Sequence, residues 1–238
     1  MGTHALETRT GMPVRSASQA GRHVRWLAGG FVLAFLVPFL FADLLELPRD
    51  LYYAVYVVAV ASYFGLWVHA TGQSFAEMVR RRWLLAVALG LAVAGILVLV
   101  VLRTEDATAR PDGLELVGAV AWRGLVYGLA DGLLLSAFPI LAVFAAFAGT
   151  ALRRRLLGVA AIALVALVAS LAMTAVYHAG YSDFRSEKVT KPLTGDVIWS
   201  APTLLTLNPI GAPIAHVGLH TAAVVHNPET DTFLPPHR

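Results

Sequence analysis

Long apolar runs, separated by short polar segments, constrain this chain more than any other feature of its sequence. Of its 238 residues, 58% are hydrophobic and only 14% are charged, whereas soluble domains are about a quarter charged. A membrane-spanning helix needs about 20 apolar residues, so a chain of this length has room for about six spans. The apolar runs are 26–45, 51–69, 83–102, 114–147, 156–178 and 197–225. The sequence therefore predicts an all-α, polytopic membrane helix bundle with six transmembrane helices.

Two of these runs are irregular. Run 114–147 is longer than a bilayer requires and carries Pro139. It is predicted to form one tilted or kinked helix, and a split into two spans is the alternative. Run 197–225 is interrupted at 208–213 by two prolines and a glycine. Backbone carbonyls freed by prolines must face protein or water inside a membrane, so we predict one broken span beside a polar cavity.

The basic residues predict the orientation of the chain. Arginines concentrate in the N-terminal 25 residues, at 80–82 and at 153–155, whereas the basic residues of the other loops are mixed with acids. The positive-inside rule then places both termini in the cytoplasm and predicts a multi-pass protein of the inner (plasma) membrane. We expect a disordered cytoplasmic leader at 1–25, a transmembrane domain at 26–225 and a cytoplasmic tail at 226–238. Because the arginines flank apolar spans, we expect them to face the lipid bilayer and not nucleic acid.

Run 114–147 contains ionisable residues on one predicted helix face. Arg123 and Asp131 are eight residues apart, with Tyr127 midway between them. Ionisable groups are costly within a bilayer, so they indicate a functional site and a buried partner. Arg123 has two interpretations. It forms a structural ion pair with Asp131, Glu115 or Asp43, or it binds a carboxylate or oxyanion near a catalytic centre.

Glycines recur on the neighbouring face of the same run. Gly124, Gly128 and Gly132 have the spacing of four residues that lets two helix backbones approach closely. This stripe predicts tight packing of a partner helix, and the sixth span is the natural candidate.

Two histidines in the sixth run are candidate metal ligands. His216 and His220 are four residues apart, so both imidazoles project from one helix face. The estimated depth of Asp131 matches theirs, and it would complete a set of two histidines and one carboxylate that suits zinc or non-haem iron. A hydrogen-bonded His/Asp cluster that relays protons, or ordinary packing, are the alternatives. His178 is expected near the outer surface, and the absence of cysteine excludes thiolate ligands.

Arg123 belongs to the segment Trp-Arg-Gly-Leu at 122–125, and His178, His216 and His220 follow it along the chain. This order resembles the motifs of the CPBP (type II CAAX protease-like) intramembrane metalloprotease family. That family has Glu-Glu-x-x-x-Arg, then Phe-x-x-x-His, then His-x-x-x-Asn/Asp on successive helices. The resemblance covers the second half of the chain.

The resemblance implies a metal-dependent protease-like site. Gly118 and Ala119 stand where the family has its glutamate pair, so Asp131 or Glu115 would substitute for those carboxylates, or the protein would be non-proteolytic. The candidate metal ligands remain His216, His220 and Asp131, from the spacing and estimated depth given above. The catalytic residues implied are Arg123, Asp131 and His178.

Three functions remain open from the sequence. The first is metal-assisted hydrolysis of a peptide, small-molecule or lipid-linked substrate. The second is proton-coupled transport through a carrier or channel, in which the same Asp/His cluster relays protons. The third is a non-catalytic membrane assembly subunit that uses the glycine stripe as its partner interface.

Overall fold

The computed structural model describes residues 14–237, and the regular secondary structure in that range is helical. The helices in chain order are α1 (Val14–Val37), α2 (Arg49–Thr71), α3 (Phe75–Arg80), α4 (Trp83–Thr104), α5 (Gly113–Ala146), α6 (Leu156–Ala179), α7 (Thr190–Trp199), α8 (Ala201–Thr206) and α9 (Gly211–His226). Within the described range, α1 with its extension to Leu44, α2, α4, α5 and α6 are long and apolar enough to cross a membrane. The predicted all-α membrane bundle is confirmed to this extent.

The first helix begins earlier in the sequence than the predicted span. Residues 1–13 of the predicted leader lie outside the described residues. The remainder of the predicted leader is helical, because α1 already begins at Val14 and continues past Trp26 without interruption. At its other end the helix continues as a π-helical segment from Pro38 to Leu44.

Helix α5 is the central helix of the bundle and confirms the prediction that run 114–147 forms one helix. Its 34 residues correspond to a length of about 51 Å, well beyond a hydrocarbon core of about 30 Å. In its most apolar window 78% of the residues are buried, against 28–33% in the other four long helices. Two π-helical segments, Val120–Val126 and Leu133–Ala137, flank its middle turns. Such segments occur frequently at functional sites.

The predicted sixth span is a helical hairpin and not one broken helix. Helices α7 and α8 run through the bundle in one direction, the chain turns at 207–210, and α9 runs back in the opposite direction. The turn is fixed because the Asn208 side-chain amide donates to the carbonyls of Val79 and Arg81 at 2.7 and 2.6 Å, beside the start of α4. At the opposite end of α9, His226 Nε2 lies 2.9 Å from the Glu105 carbonyl, just after the end of α4. Helix α9 therefore runs parallel to α4.

The hairpin changes where the tail of the chain lies. We call the end of the bundle with loops 72–82 and 147–155 the arginine end, and the end with loops 45–48, 105–112 and 180–189 the tail end. Arg22 in α1 donates to the Ala70 carbonyl at 3.1 Å, at the arginine end. Arg49 donates to the Pro228 carbonyl at 2.6 Å, at the tail end. The two described ends of the chain thus lie at opposite ends of α2, and the prediction that both termini share the cytoplasmic side is not confirmed.

Candidate metal centre

Asp131, His216 and His220 meet inside the bundle, as the sequence predicted. His216 Nδ1 lies 3.1 Å from Asp131 Oδ2, and His220 Nε2 lies 3.2 Å from the same oxygen. All three candidate ligand atoms lie within 4.8 Å of one another, and the side chains are buried. By its donor atoms and spacing, this Asp131–His216–His220 group could hold a metal ion.

The glycine stripe of α5 brings the group together. A β-carbon added at Gly128 would lie 2.9 Å from Val217 Cα, and one added at Gly132 would lie 2.5 Å from Pro213 Cα. Gly124 is similarly close to α9. Because small residues let the backbones approach, the i, i+4 histidine face of α9 reaches the carboxylate on α5. The prediction that the stripe packs against the sixth run is confirmed, so within the described structure the stripe serves contacts inside the chain.

The hydrogen bonds of His220 fix its tautomer. Its Nδ1 lies 2.8 Å from the Phe233 carbonyl oxygen, which can only accept, so Nδ1 carries a proton. In a neutral imidazole, Nε2 then carries a lone pair, and this lone pair faces Asp131 Oδ2 at 3.2 Å. Two acceptors at this distance need either a proton, carried by His220 or by Asp131, or a bound cation between them.

The carboxylate of Asp131 divides its two oxygens between different partners. Oδ1 accepts hydrogen bonds from the Tyr56 hydroxyl at 2.9 Å and from the Tyr127 hydroxyl at 3.4 Å. Oδ2 faces only the two histidines. Metal-ligating carboxylates are commonly held in this way by outer hydrogen bonds, which orient the free oxygen.

A chain of buried tyrosines extends from this carboxylate toward the tail end. The Tyr127 hydroxyl lies 2.7 Å from that of Tyr177, and Tyr177 lies 2.7 Å from Tyr181. Tyr52 closes the group, 2.6 Å from Tyr181 and 3.2 Å from Tyr177. These hydroxyls form a continuous hydrogen-bonded path that ends on Asp131.

Sequence reasoning missed this tyrosine path. The available signal was the spacing of four residues between Tyr52 and Tyr56 and between Tyr177 and Tyr181, which puts each pair on one helix face. Aromatic residues at helical spacing are also typical of ordinary cores and of membrane interfaces, so the spacing alone does not indicate a polar site.

Arg123 lies outside the Asp131–His216–His220 group. Its guanidinium forms two hydrogen bonds of 2.7 Å with the carboxylate of Asp50, and both side chains are partly exposed at the tail end. The predicted pairing with Asp131, Glu115 or Asp43 is wrong, because Asp50 on α2 binds the guanidinium through both of its carboxylate oxygens. Glu115 is exposed at the start of α5, which leaves Asp131 as the carboxylate of the group.

His178 is buried near the tail end and is not part of the candidate ligand set. Its Nδ1 lies 2.8 Å from the Thr174 carbonyl of the preceding helical turn. Its ring stacks on that of His237, with 5.3 Å between ring centroids, and also contacts Phe184. The structure thus places His178 beneath the tail.

The tail 227–237 folds over the tail end of the bundle, and its predicted cytoplasmic location stays a prediction. Arg49 anchors it through the Pro228 carbonyl and an ion pair of 3.3 Å with Asp231. Leu234 is fully buried, and His237 is 7% exposed. Through the Phe233 carbonyl the tail also supplies the hydrogen bond that fixes His220.

Comparisons with known proteins add no relative. No family model, curated protein or solved structure matches the chain. The resemblance to the CPBP family therefore stays a prediction from the motifs around Arg123, His178 and His216.

Proposed function

We propose that this protein is a multi-pass metalloprotein of the inner (plasma) membrane. In this proposal Asp131, His216 and His220 hold one divalent transition-metal ion, zinc or iron(II), and the centre hydrolyses a peptide or lipid-linked substrate. The observation that carries the proposal is the pair of acceptors formed by His220 Nε2 and Asp131 Oδ2. A metal ion satisfies both, while Phe233 holds the His220 tautomer that exposes the lone pair.

The spacing of the ligand atoms supports a tetrahedral ion. Two ligands bound at about 2.0 Å with tetrahedral angles lie about 3.3 Å apart. The His216 and His220 nitrogens lie 3.1 and 3.2 Å from Asp131 Oδ2. Two of the three ligand spacings therefore match a tetrahedral ion, and the two histidine nitrogens lie within 4.8 Å of each other.

Three protein ligands leave one position for water or substrate. When bound, a zinc-class ion supplies an activated water and polarises a carbonyl. The protein's part is to hold Asp131 through Tyr56 and Tyr127 and to exclude bulk water by burial. Arg123 has no catalytic role in this proposal, because its fork is occupied by Asp50.

Metal analysis of the purified full-length protein tests the proposal. We expect one zinc or iron per chain in the wild type and loss of the metal in His216→Ala and Asp131→Asn. His226→Ala is the matched control, since this histidine lies on the same helix but bonds the Glu105 carbonyl. Metal-free wild type, or an unchanged metal content in His216→Ala, would remove the metal centre from consideration.

Hydrolysis is tested separately with a fluorogenic peptide and a lipid-linked form of the same peptide in proteoliposomes. We expect cleavage of at least one of these probes by the metal-loaded wild type and no cleavage by His220→Ala. Stoichiometric metal without any cleavage would keep the metal centre and reject hydrolysis of these substrates.

The tyrosine path favours proton relay as a second candidate function. Hydroxyls in contact can pass a proton along a chain, and this chain links Asp131 to the tail end of the bundle through Tyr127 and Tyr177. Intramembrane chains of ionisable groups are typical of proton-coupled carriers.

Proton flux into proteoliposomes that contain a pH-sensitive dye tests the relay. We expect Tyr127→Phe to abolish flux, because it breaks the path between Tyr177 and Asp131. Tyr63→Phe is the control, since its hydroxyl bonds the Trp26 carbonyl outside the path. Equal flux in both variants, or no flux in the wild type, would reject the relay.

A further inference from the structure

Unpartnered polar atoms concentrate on the far side of His216 from Asp131. Among the described residues, five buried side-chain polar atoms have no hydrogen-bond partner. Four of them are His216 Nε2, Trp199 Nε1, Thr174 Oγ1 and Asp196 Oδ2. Each parent residue is at most 7% exposed. In a membrane such groups are costly unless they are satisfied, so their concentration indicates a bound polar molecule.

These four residues are neighbours. The rings of Trp199 and His216 lie 4.8 Å apart between centroids. Asp196 and Trp199 are three residues apart in α7, so they share one helix face. Asp196 lies close enough to the Thr174 hydroxyl and to the His216 ring to be influenced by both.

The orientation of Asp196 is fixed by serines. Its Oδ1 accepts hydrogen bonds from Ser200 at 2.6 Å, from Ser170 at 3.1 Å and from Ser136 at 3.2 Å. Three donors on one oxygen hold the carboxylate in place and leave Oδ2 free. Such a fully buried carboxylate needs a positive or hydrogen-bonding partner on its second oxygen.

The two histidines of the metal group differ in their outer contacts. A metal-ligating histidine almost always donates its other ring N–H to a carboxylate, a carbonyl or a water. His220 does so to Phe233. If His216 binds metal through Nδ1, its Nε2 carries a proton and needs an acceptor. Among the described residues, no group accepts this hydrogen bond.

One water molecule has the donors and acceptors that the four unpartnered atoms need. A water accepts two hydrogen bonds and donates two. Here it would accept from the N–H groups of His216 and Trp199 and donate to Asp196 Oδ2 and Thr174 Oγ1. The negative charge of Asp196 would also balance the one positive charge that a divalent ion retains after binding a single carboxylate.

We propose that Asp196 is a positioning residue for the metal centre, and that it holds His216 through one ordered water shared with Trp199 and Thr174. This inference rests on the proposed metal function. It gives α7 a role in supporting the site, although most of this helix lies between the predicted runs 156–178 and 197–225.

Zinc affinity of the full-length protein in detergent, measured by competition with a chelator, tests the proposal. We expect Asp196→Asn to weaken zinc binding about 10- to 100-fold, as is usual when an outer partner of a ligand is lost. The visible absorption of the cobalt(II)-loaded protein should change as well, because His216 is reoriented. Trp199→Phe, which removes one donor to the water and keeps an aromatic ring, should weaken zinc binding less.

Asp183→Asn is the matched control, since it makes the same substitution at a partly exposed carboxylate that pairs with Lys188 at 2.9 Å, outside the site. We expect it to leave the cobalt spectrum unchanged. An Asp196→Asn protein with wild-type zinc affinity would overturn the positioning role while the metal centre stands. So would an Asp196→Asn protein that loses thermal stability only in its metal-free form. A wild type that binds no zinc would overturn both. If Asp196→Asn does not fold, unchanged zinc affinity in Trp199→Phe would decide against the shared water.

Discussion

Asp131 shows how one side chain joins two parts of the site. Its Oδ1 bonds Tyr56 and Tyr127, and its Oδ2 faces His216 and His220. The hydroxyls thus set the direction in which the second oxygen points. Affinity for a metal should therefore depend on tyrosines that never touch the ion.

A comparison of two neighbouring tyrosines tests this dependence. Tyr56→Phe removes the 2.9 Å hydrogen bond to Asp131, so we expect zinc affinity to fall about tenfold or more. Tyr53→Phe serves as the control, because the Tyr53 hydroxyl is buried without a partner. Its removal should leave zinc affinity unchanged and stability unchanged or slightly higher. Chelator competition and thermal unfolding measure the two effects, and equal losses in both variants would contradict the argument.

At the scale of elements, the close approach of α5 and α9 decides whether the site exists. Gly128→Ala places a β-carbon 2.9 Å from Val217 Cα, so the helices must separate. We expect loss of bound metal and a lower unfolding temperature. Gly118→Ala on the same helix meets nothing within 4 Å and should keep the metal. Metal analysis and thermal unfolding of both variants give the comparison, and retention of metal in Gly128→Ala would show that the contact is not required.

The docked tail should respond to acid through His237. Burial lowers the pKa of His237 from 6.5 to about 3, against a smaller opposing effect of its hydrogen bond to the Asp231 carbonyl. The ring is surrounded by His178, Tyr181 and Phe184. Because the docked form binds the proton more weakly, the stability of docking is complete above pH 6.5 and falls progressively as the pH drops toward 3.

A spin label on Glu229→Cys reports this docking, since Glu229 is exposed on the tail. We expect label mobility to rise as the pH falls below 6.5. His237→Phe preserves an aromatic ring that does not titrate, so in that background the rise should be smaller. A pH response of the same size in both proteins would assign the effect to other groups.

Elements also show where the sequence was sufficient and where it was not. The length and apolarity of run 114–147 predicted one long helix, because both are local properties. Run 197–225 had the length of a single span, and its interruption was compatible with a kink or a turn. The contacts that decide for a turn join Asn208 to Val79 and Arg81, which are far away in the sequence. The sequence pattern within one apolar run contains no information about contacts with such distant residues.

The same division holds for the site. Asp131, His216 and His220 were predictable together, because their depths follow from the rise of a helix along each run. The partner of Arg123 was not, since Asp50 lies at the start of a different helix. Nor was the role of Phe233, which acts through its backbone carbonyl and leaves no signature in its side chain.

For the whole molecule, the described ends of the chain lie at opposite ends of the bundle. The arginine end carries the arginine triplets at 80–82 and 153–155, so the positive-inside rule predicts that it faces the cytoplasm. The tail 227–237 would then face the opposite side of the membrane. The metal group lies nearer the tail end, since His220 bonds the tail directly.

Single-cysteine labelling checks this topology, because the chain contains no cysteine of its own. We expect a membrane-impermeant thiol reagent added outside intact cells or spheroplasts to label Glu229→Cys and not Ala76→Cys. After permeabilisation both should react, since both positions are exposed. Labelling of Ala76→Cys alone from outside would indicate the reverse orientation. Labelling of both positions from outside would contradict the fold.

The placement of both histidines on α9 has a consequence for biosynthesis. Helix α9 follows all five long helices in the chain, so they are made before either histidine is available. Until α9 arrives, Asp131 and the glycine stripe of α5 lack their partner inside the membrane. A chain synthesised only as far as α8 therefore holds Asp131 without its two histidine partners, so the candidate site is completed late in synthesis.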